Sequence, residues 1–256
     1  MSLLKQAAGS LYDAALALCY PRACAVCGES VEARADGAAC AACWEKTRLF
    51  SAADACCWKC GRPAAGVAFK EKERAGIRCR RCEPESFAAA RACGVYEGAL
   101  RASVLALKRE PSVARRLARL LFETQRREPL RDATRILPVP LHPQRMRERG
   151  FNQAALLGRA LARTAHLPLD EWSLARTRHT ERHRAGMDER ARRESVEAAF
   201  EVRRPRLVAG ERVLLVDDVF TTGATVNACA RVLKEAGALE VFVLTLARPL
   251  ADPKSG

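Results

Sequence analysis

The pattern of apolar and polar positions divides the chain near residue 86. Before that point long apolar side chains are sparse. The exception is "MSLLKQAAGSLYDAALALCYP", where Leu4, Leu11, Ala15 and Leu18 recur at helical spacing and Asp13 breaks up any solid apolar block. The spacing predicts a short amphipathic helix over 1–19 rather than a secretion signal. Beyond residue 86, strand and helix patterns alternate. "ACGVYEG" reads as a short strand and turn. "ALRASVLALKRE" sets Leu100, Val104 and Leu107 on one helical face and stops at Pro111. "VARRLARLLFETQRRE" repeats this with Val113, Leu117, Leu120 and Leu121, opposite a solvated basic face of Arg115, Arg116, Arg119 and Arg126. "RILPVPLHPQRMRERGFNQ" begins as an apolar strand and turns basic, and the helix "AALLGRALARTAH" follows. Residues 173–199 are Arg-rich with weak periodicity, predicting a mobile loop plus a short helix. A strand over 212–216 and a helix over 224–236, closed by Gly237, come next. "LEVFVLTLAR" is a solid apolar run, the pattern of a strand buried on both faces. Strands separated by helices predict an α/β fold, a parallel sheet flanked by helices over 86–250, with 251–256 as a tail.

Composition narrows the picture modestly. Of 256 residues, 49% are hydrophobic and 29% charged, a globular balance. The formal charge of +14 favours anionic partners, although arginine outnumbers lysine and compositional drift produces the same excess. No run of about 18 uncharged apolar residues exists, which excludes a membrane-spanning helix.

The twelve cysteines change the picture more. Eight form C-x-x-C pairs: Cys24/Cys27, Cys40/Cys43, Cys57/Cys60 and Cys79/Cys82, separated by 12, 13 and 18 residues. Each pair turns two thiolates toward one point, and four thiolates in a tetrahedron at about 2.3 Å suit Zn²⁺. Two tandem ribbons over 20–85 are the simplest assignment, with cross-bracing of the first pair to the third as the alternative. Cys56 stands next to Cys57 and competes for its place. Cys19, Cys93 and Cys229 have no pair and read as small buried apolar residues. A disulfide framework needs an oxidising compartment; without a secretion signal the expected setting is the cytoplasm, with thiols reduced. Each Zn(Cys)₄ cluster carries about −2, which lowers the effective charge to roughly +10. The ribbons depend on metal to fold, because they lack the side chains for a core of their own.

The stretch "VLLVDDVFTTGAT" carries the remaining chemistry. Asp217 and Asp218 end an apolar strand, and Thr221, Thr222, Gly223, Ala224 and Thr225 lead into a helix start. In a parallel sheet, ligands sit at the carboxyl ends of strands. Unsatisfied amides and the positive helix end favour a phosphate there, and Gly223 lets backbone approach closely. No G-x-x-x-x-G-K is present, so this is not a Walker loop. One phosphate beside two carboxylates that accept bonds from vicinal hydroxyls describes a ribose 5-phosphate.

This stretch resembles the phosphoribosyl pyrophosphate (PRPP) signature of type I phosphoribosyltransferases. The whole of 20–248 resembles the ComF (competence protein F, ComFC/GntX-like) family, through the cysteine pairs, "GVYEGALRASVLALK", "LPVPLHPQRMRERGFNQAALL", "LARTRHT" and "VLTLAR". The resemblance implies a type I phosphoribosyltransferase-like sheet preceded by a small double zinc ribbon with two structural zinc sites. It implies that Asp217 and Asp218 hold the ribose hydroxyls, that Thr221 to Thr225 hold the 5-phosphate, and that Mg²⁺ accompanies PRPP. The loop after "LPVP" would meet pyrophosphate with His142, Arg145, Arg149 and Asn152. Lys108 matches a recurrent lysine, with a surface role as the alternative. Arg176, Arg178, His183 and Arg184 would belong to a flexible hood; where the family shows glutamine, this chain has His183. The resemblance further implies a part in DNA uptake, either as a PRPP-dependent transferase of unread acceptor or as a non-enzymatic adaptor for single-stranded DNA or an uptake helicase.

Overall fold

The computed structural model describes residues 22–64, 76–178 and 199–250. The N-terminal helix expected over 1–19 and the tail lie outside them. Four parallel strands form the central sheet: β1 (Ala89–Val95), β2 (Arg135–Pro138), β5 (Arg212–Val219) and β6 (Glu240–Arg248), in the order β1-β6-β5-β2. Leu169 adds a parallel bridge beyond β2, opposite Ile136. β6 is buried along nearly its whole length and β5 from Val213 to Val216, as their continuous Val/Leu runs require.

Strand alternation sends successive side chains to opposite faces. Leu214, Val216, Phe242 and Leu244 share one core cluster with Leu100, Leu121 and Leu157. These last three come from α2 (Gly98–Leu107), α3 (Arg115–Gln125) and α5 (Gln153–Ala165). Val213, Leu215, Val241 and Val243 face the other way, onto Val226, Ala230 and Leu233 of α6 (Ala224–Glu235). Short α4 (Pro143–Arg149) stands at the carboxyl edge of the sheet, after β2. The weakly periodic stretch 173–199 departs from expectation at its ends. Leu174–Arg176 (β3) and Phe200–Val202 (β4) pair antiparallel, and 179–198 between them lie outside the described residues. A three-residue strand is too short to reveal its period.

β1 also begins earlier than its sequence suggests. "AAA" carries little strand propensity, but the small side chains serve packing. Gly61 approaches so closely that a Cβ there would stand 2.4 Å from the Ala90 carbonyl oxygen, and the Ala90 amide donates to the Lys59 carbonyl at 2.6 Å. The linker between the ribbons runs along the outer edge of β1. The Phe50 amide donates to the Cys93 carbonyl, the Val95 amide donates to the Arg48 carbonyl, and Leu49 bridges Gly94. Both ribbons are therefore continuous with the core.

The first ribbon contains α1 (Ala41–Glu45), whose Trp44 is 1% exposed and donates from Nε1 to the Asp36 carbonyl at 3.0 Å. Arg116 of α3 stacks 4.8 Å from the Trp44 ring and pairs with Asp36 at 2.8 Å. One arginine of the supposed solvated face is thus a dock for the ribbon. Thr47 completes the joint: its hydroxyl donates to the Cys43 carbonyl and accepts from the Ala99 amide, satisfying an orphan donor at the start of α2.

Candidate functional site

Two cysteine groups come together, Cys24/Cys27/Cys40/Cys43 and Cys57/Cys60/Cys79/Cys82, each with all sulfurs within 4.8 Å of one another. The pairing is tandem rather than cross-braced, and Cys56 stands outside the second tetrad. Neighbouring sulfurs lie 3.7 Å apart in the first tetrad (Cys27–Cys40) and 3.5 and 3.6 Å apart in the second (Cys57–Cys82, Cys60–Cys79). A tetrahedron with bonds of about 2.3 Å needs sulfurs about 3.8 Å apart, so both tetrads fit structural zinc. Backbone amides aim at the sulfurs: Val26 and Cys40 donate to Cys24 Sγ, and Cys79 donates to Cys57 Sγ. Burial opposes ionisation of Cys24, but these amides and that of Cys27 bring it down to about 6. Cys57 falls to about 4 through its bond with Cys60, against the effect of burial. Burial and the neighbouring sulfurs push Cys43 and Cys82 up to about 12. One thiolate per tetrad is favoured and further ones repel it, a conflict that a divalent cation removes.

The second centre lies at the carboxyl end of β5. Its acids do not follow the strand, as a strand over 212–216 implies. β5 continues through Val219, with Asp217 opposite Thr245 and Val219 opposite Ala247. Adjacent strand residues point to opposite faces, which is how two carboxylates tolerate being neighbours. Asp218, 8% exposed, faces the α2/α5 side: Lys108 Nζ lies 3.0 Å from its Oδ2, and Gln153 Nε2 donates to the same oxygen at 3.5 Å. Asp217 turns toward α6 and β3, where Cys229 and Arg176 are its electrostatic neighbours, and its Oδ1 accepts the Asp218 amide at 2.8 Å. Burial, then the charge of Asp218, hold the Asp217 carboxyl well above the usual carboxylate range; the Asp218 amide and Lys108 oppose them.

Past Val219 the chain turns at Gly223, whose φ of 85° suits glycine and which forms the N-cap of α6. Thr222 Oγ1 accepts from the Ala224 amide at 3.4 Å. Thr221 and Thr222 are exposed, so this helix end and its hydroxyls face solvent beside the acids.

The residues nominated for pyrophosphate divide into two sets. His142 is the N-cap of α4, its Nδ1 accepting from the Gln144 amide at 3.3 Å. Asn152 caps α5: Oδ1 accepts the Ala154 amide, and Nδ2 donates to the Val139 carbonyl, which ties the helix to the loop after β2. These two shape the loop. Arg149 reaches the acids indirectly, donating to Gln153 Oε1 at 2.5 Å. Arg145 lies near enough to Arg176 to depress its basicity, after burial, while Asp217 supports it. Arg176 also stacks 5.4 Å from the Phe200 ring. Arg178 is exposed two residues past β3, and His183 and Arg184 lie outside the described residues. Two residues of the site went undervalued in sequence. Lys108 is a direct partner of Asp218, and Gln153, 6% exposed, relays Arg149 to that carboxylate. Gln153 ends the motif "RERGFNQ", the one signal that pointed to it. Two cavities, of about 380 and 540 Å³, open at the ends of α3 where the ribbons meet the core; neither is lined by the acids.

Residues 152–255 match the phosphoribosyl transferase domain family and residues 15–83 the double zinc ribbon domain family. The chain is 34% identical over 202 residues to DNA utilization protein YhgH of Escherichia coli O157:H7, spanning 76% of this chain and 84% of that one. It is 37% identical over 141 residues to Competence protein F of Haemophilus influenzae (53% and 61% of the two chains). Against Competence protein ComFC of Bacillus subtilis it is 37% identical over 114 residues (44% of each chain). Fold, tetrads and matches together define a protein with a type I phosphoribosyltransferase fold and an N-terminal double zinc ribbon. The chain belongs to the ComF (competence protein F) family. No helix among the described residues is long and apolar enough to cross a membrane.

Proposed function

We propose that this chain binds PRPP, or another ribose 5-phosphate, at the carboxyl end of β5, and that the bound state serves DNA uptake. One observation carries the reading: two carboxylates and a Thr-Gly helix start lie within eight residues of one strand end, Asp217 to Ala224. Asp217 and Asp218 would accept hydrogen bonds from the ribose hydroxyls, and the α6 start would take the 5-phosphate. Arg145 and Arg149 would meet a pyrophosphate, and the guanidinium fork suits its oxygens. Mg²⁺ entering with PRPP would neutralise pyrophosphate charge. Relatives named for competence and DNA utilization support the biological setting.

Calorimetric titration of PRPP with Mg²⁺ into wild type and Asp217→Asn tests the ligand. Weakening one hydrogen bond to the ribose corresponds to an affinity drop of about 5-fold or more; equal affinities would remove Asp217 from the site. Transformation frequency in cells carrying Asp217→Asn tests the setting, and a frequency equal to wild type would separate the ligand from uptake.

A further inference from the structure

The end of β6 holds a cation in an apolar place. Arg248 is 6% exposed, and its Nε has no hydrogen-bond partner among the described residues. Nη1 donates to the Cys60 carbonyl at 2.6 Å, and the guanidinium carbon stands 5.1 Å from the centre of the Phe220 ring. A buried charge is costly unless something opposes it. Cys60 belongs to the second tetrad, and a loaded Zn(Cys)₄ cluster carries about −2. Arg248 therefore lies where the loaded cluster supplies its counter-charge.

Its other neighbour is the first residue after the acid-bearing strand. Phe220 meets Phe87 edge-on at 6.0 Å, and it packs under Gly223 so tightly that a Cβ there would stand 2.9 Å from Phe220 Cζ. A second strap runs alongside. The Ser86 amide, four residues after Cys82, donates to Asn227 Oδ1 at 2.6 Å, and the Asn227 amide donates to the Gly223 carbonyl at 2.8 Å. Cys57, Cys60, Cys82, Phe87, Phe220 and Val226 belong to a single buried cluster. The first tetrad instead joins α2 and α3, through Thr47, Trp44 and Arg116.

We infer that the second tetrad, acting through Arg248 and Phe220, holds the Thr221–Thr225 loop in its anion-binding shape, and that Arg248 is a positioning residue for the phosphate site. Metal loading of that tetrad, and not of the first, then sets the affinity of the loop. The inference rests on the ribose 5-phosphate reading of the loop, but its hydrogen-exchange readout does not.

The test compares wild type, Arg248→Met and Arg248→Lys in full-length, zinc-loaded protein by three measurements: zinc per chain, hydrogen exchange of the amides from 220 to 227, and calorimetric titration of ribose 5-phosphate. Arg248→Met should keep two zinc ions while its loop amides exchange at least tenfold faster and ribose 5-phosphate binds at least tenfold more weakly; Arg248→Lys should recover part of both. Unchanged loop exchange in Arg248→Met overturns the inference. So does an equal acceleration in Cys27→Ser, which disturbs only the first tetrad. If wild type does not bind ribose 5-phosphate, the ligand reading fails while loop exchange still decides the coupling. Should Arg248→Met not fold, Phe220→Leu keeps an apolar side chain under Gly223 but lacks the ring face, and it must show the same faster loop exchange and weaker ribose 5-phosphate binding.

Discussion

The ion pair between Lys108 and Asp218 is the contact on which the acid centre most depends, and its strength can be bounded. At 3.0 Å and an effective dielectric constant of about 20, the gross attraction is about 5.5 kcal/mol. Much of this is offset by desolvation, since the two side chains are 28% and 11% exposed. Exposed pairs retain roughly 0–1 kcal/mol, and breaking a fully buried pair costs roughly 3–5 kcal/mol. This pair lies between, so its coupling should be about 2 kcal/mol. Lys108→Met keeps most of the stem and removes the charge, leaving Asp218 beside Asp217 without its nearest cation. Urea unfolding of wild type, Lys108→Met, Asp218→Asn and the double variant, in saturating zinc at neutral pH, yields the coupling as a double-mutant cycle. Lys108→Met alone should be the most destabilised of the four, because only there is the carboxylate left uncompensated. A coupling below about 0.5 kcal/mol would show that Lys108 contributes no more than a surface lysine, and would refute the account of how the acids are held.

Three further outcomes follow from the same geometry. The Asp217 carboxyl is raised above its unfolded value, so wild type has that group's full contribution below the ordinary carboxylate range and loses it as pH rises through the folded value. Asp217→Asn should therefore be more stable than wild type at pH 8, by on the order of 1 kcal/mol in urea unfolding, with the difference closing below pH 4; a less stable variant at pH 8 contradicts this. Gly223→Ala forces a side chain at φ 85° to within 2.9 Å of Phe220 and should cost about 1–3 kcal/mol in thermal unfolding while weakening ribose 5-phosphate binding. In elemental analysis, Cys57→Ser should hold one zinc per chain and Cys56→Ser two, because only Cys57 lies in the tetrad; the reverse result would reassign the ligand.

What the sequence revealed follows from how local each signal is. The C-x-x-C pairs, the acids and the Thr-Gly turn are chemistry written within a few residues, and they are visible without coordinates. The buried strands β5 and β6 announce themselves as solid apolar runs. The β3–β4 pair did not, because three residues display no period. Lys108 and Gln153 reach Asp218 from two different helices, 110 and 65 positions away, and only packing brings them there. His142 and Asn152 are nominated for pyrophosphate by the family resemblance alone, and only the fold shows that each also has a capping bond with backbone. Arg116 and Arg248 illustrate the same limit: each is a charge in an amphipathic or apolar pattern, and only the fold shows that one docks the first ribbon and the other connects the second to the phosphate loop.

A zinc-built scaffold that presents a ribose-phosphate site must show both properties in one preparation. Zinc content and calorimetric titration of PRPP, with and without Mg²⁺, should be measured on the same wild-type protein. Two zinc ions per chain and Mg²⁺-dependent PRPP binding of about one equivalent are expected. Two zinc ions with no PRPP binding under either condition would contradict this reading.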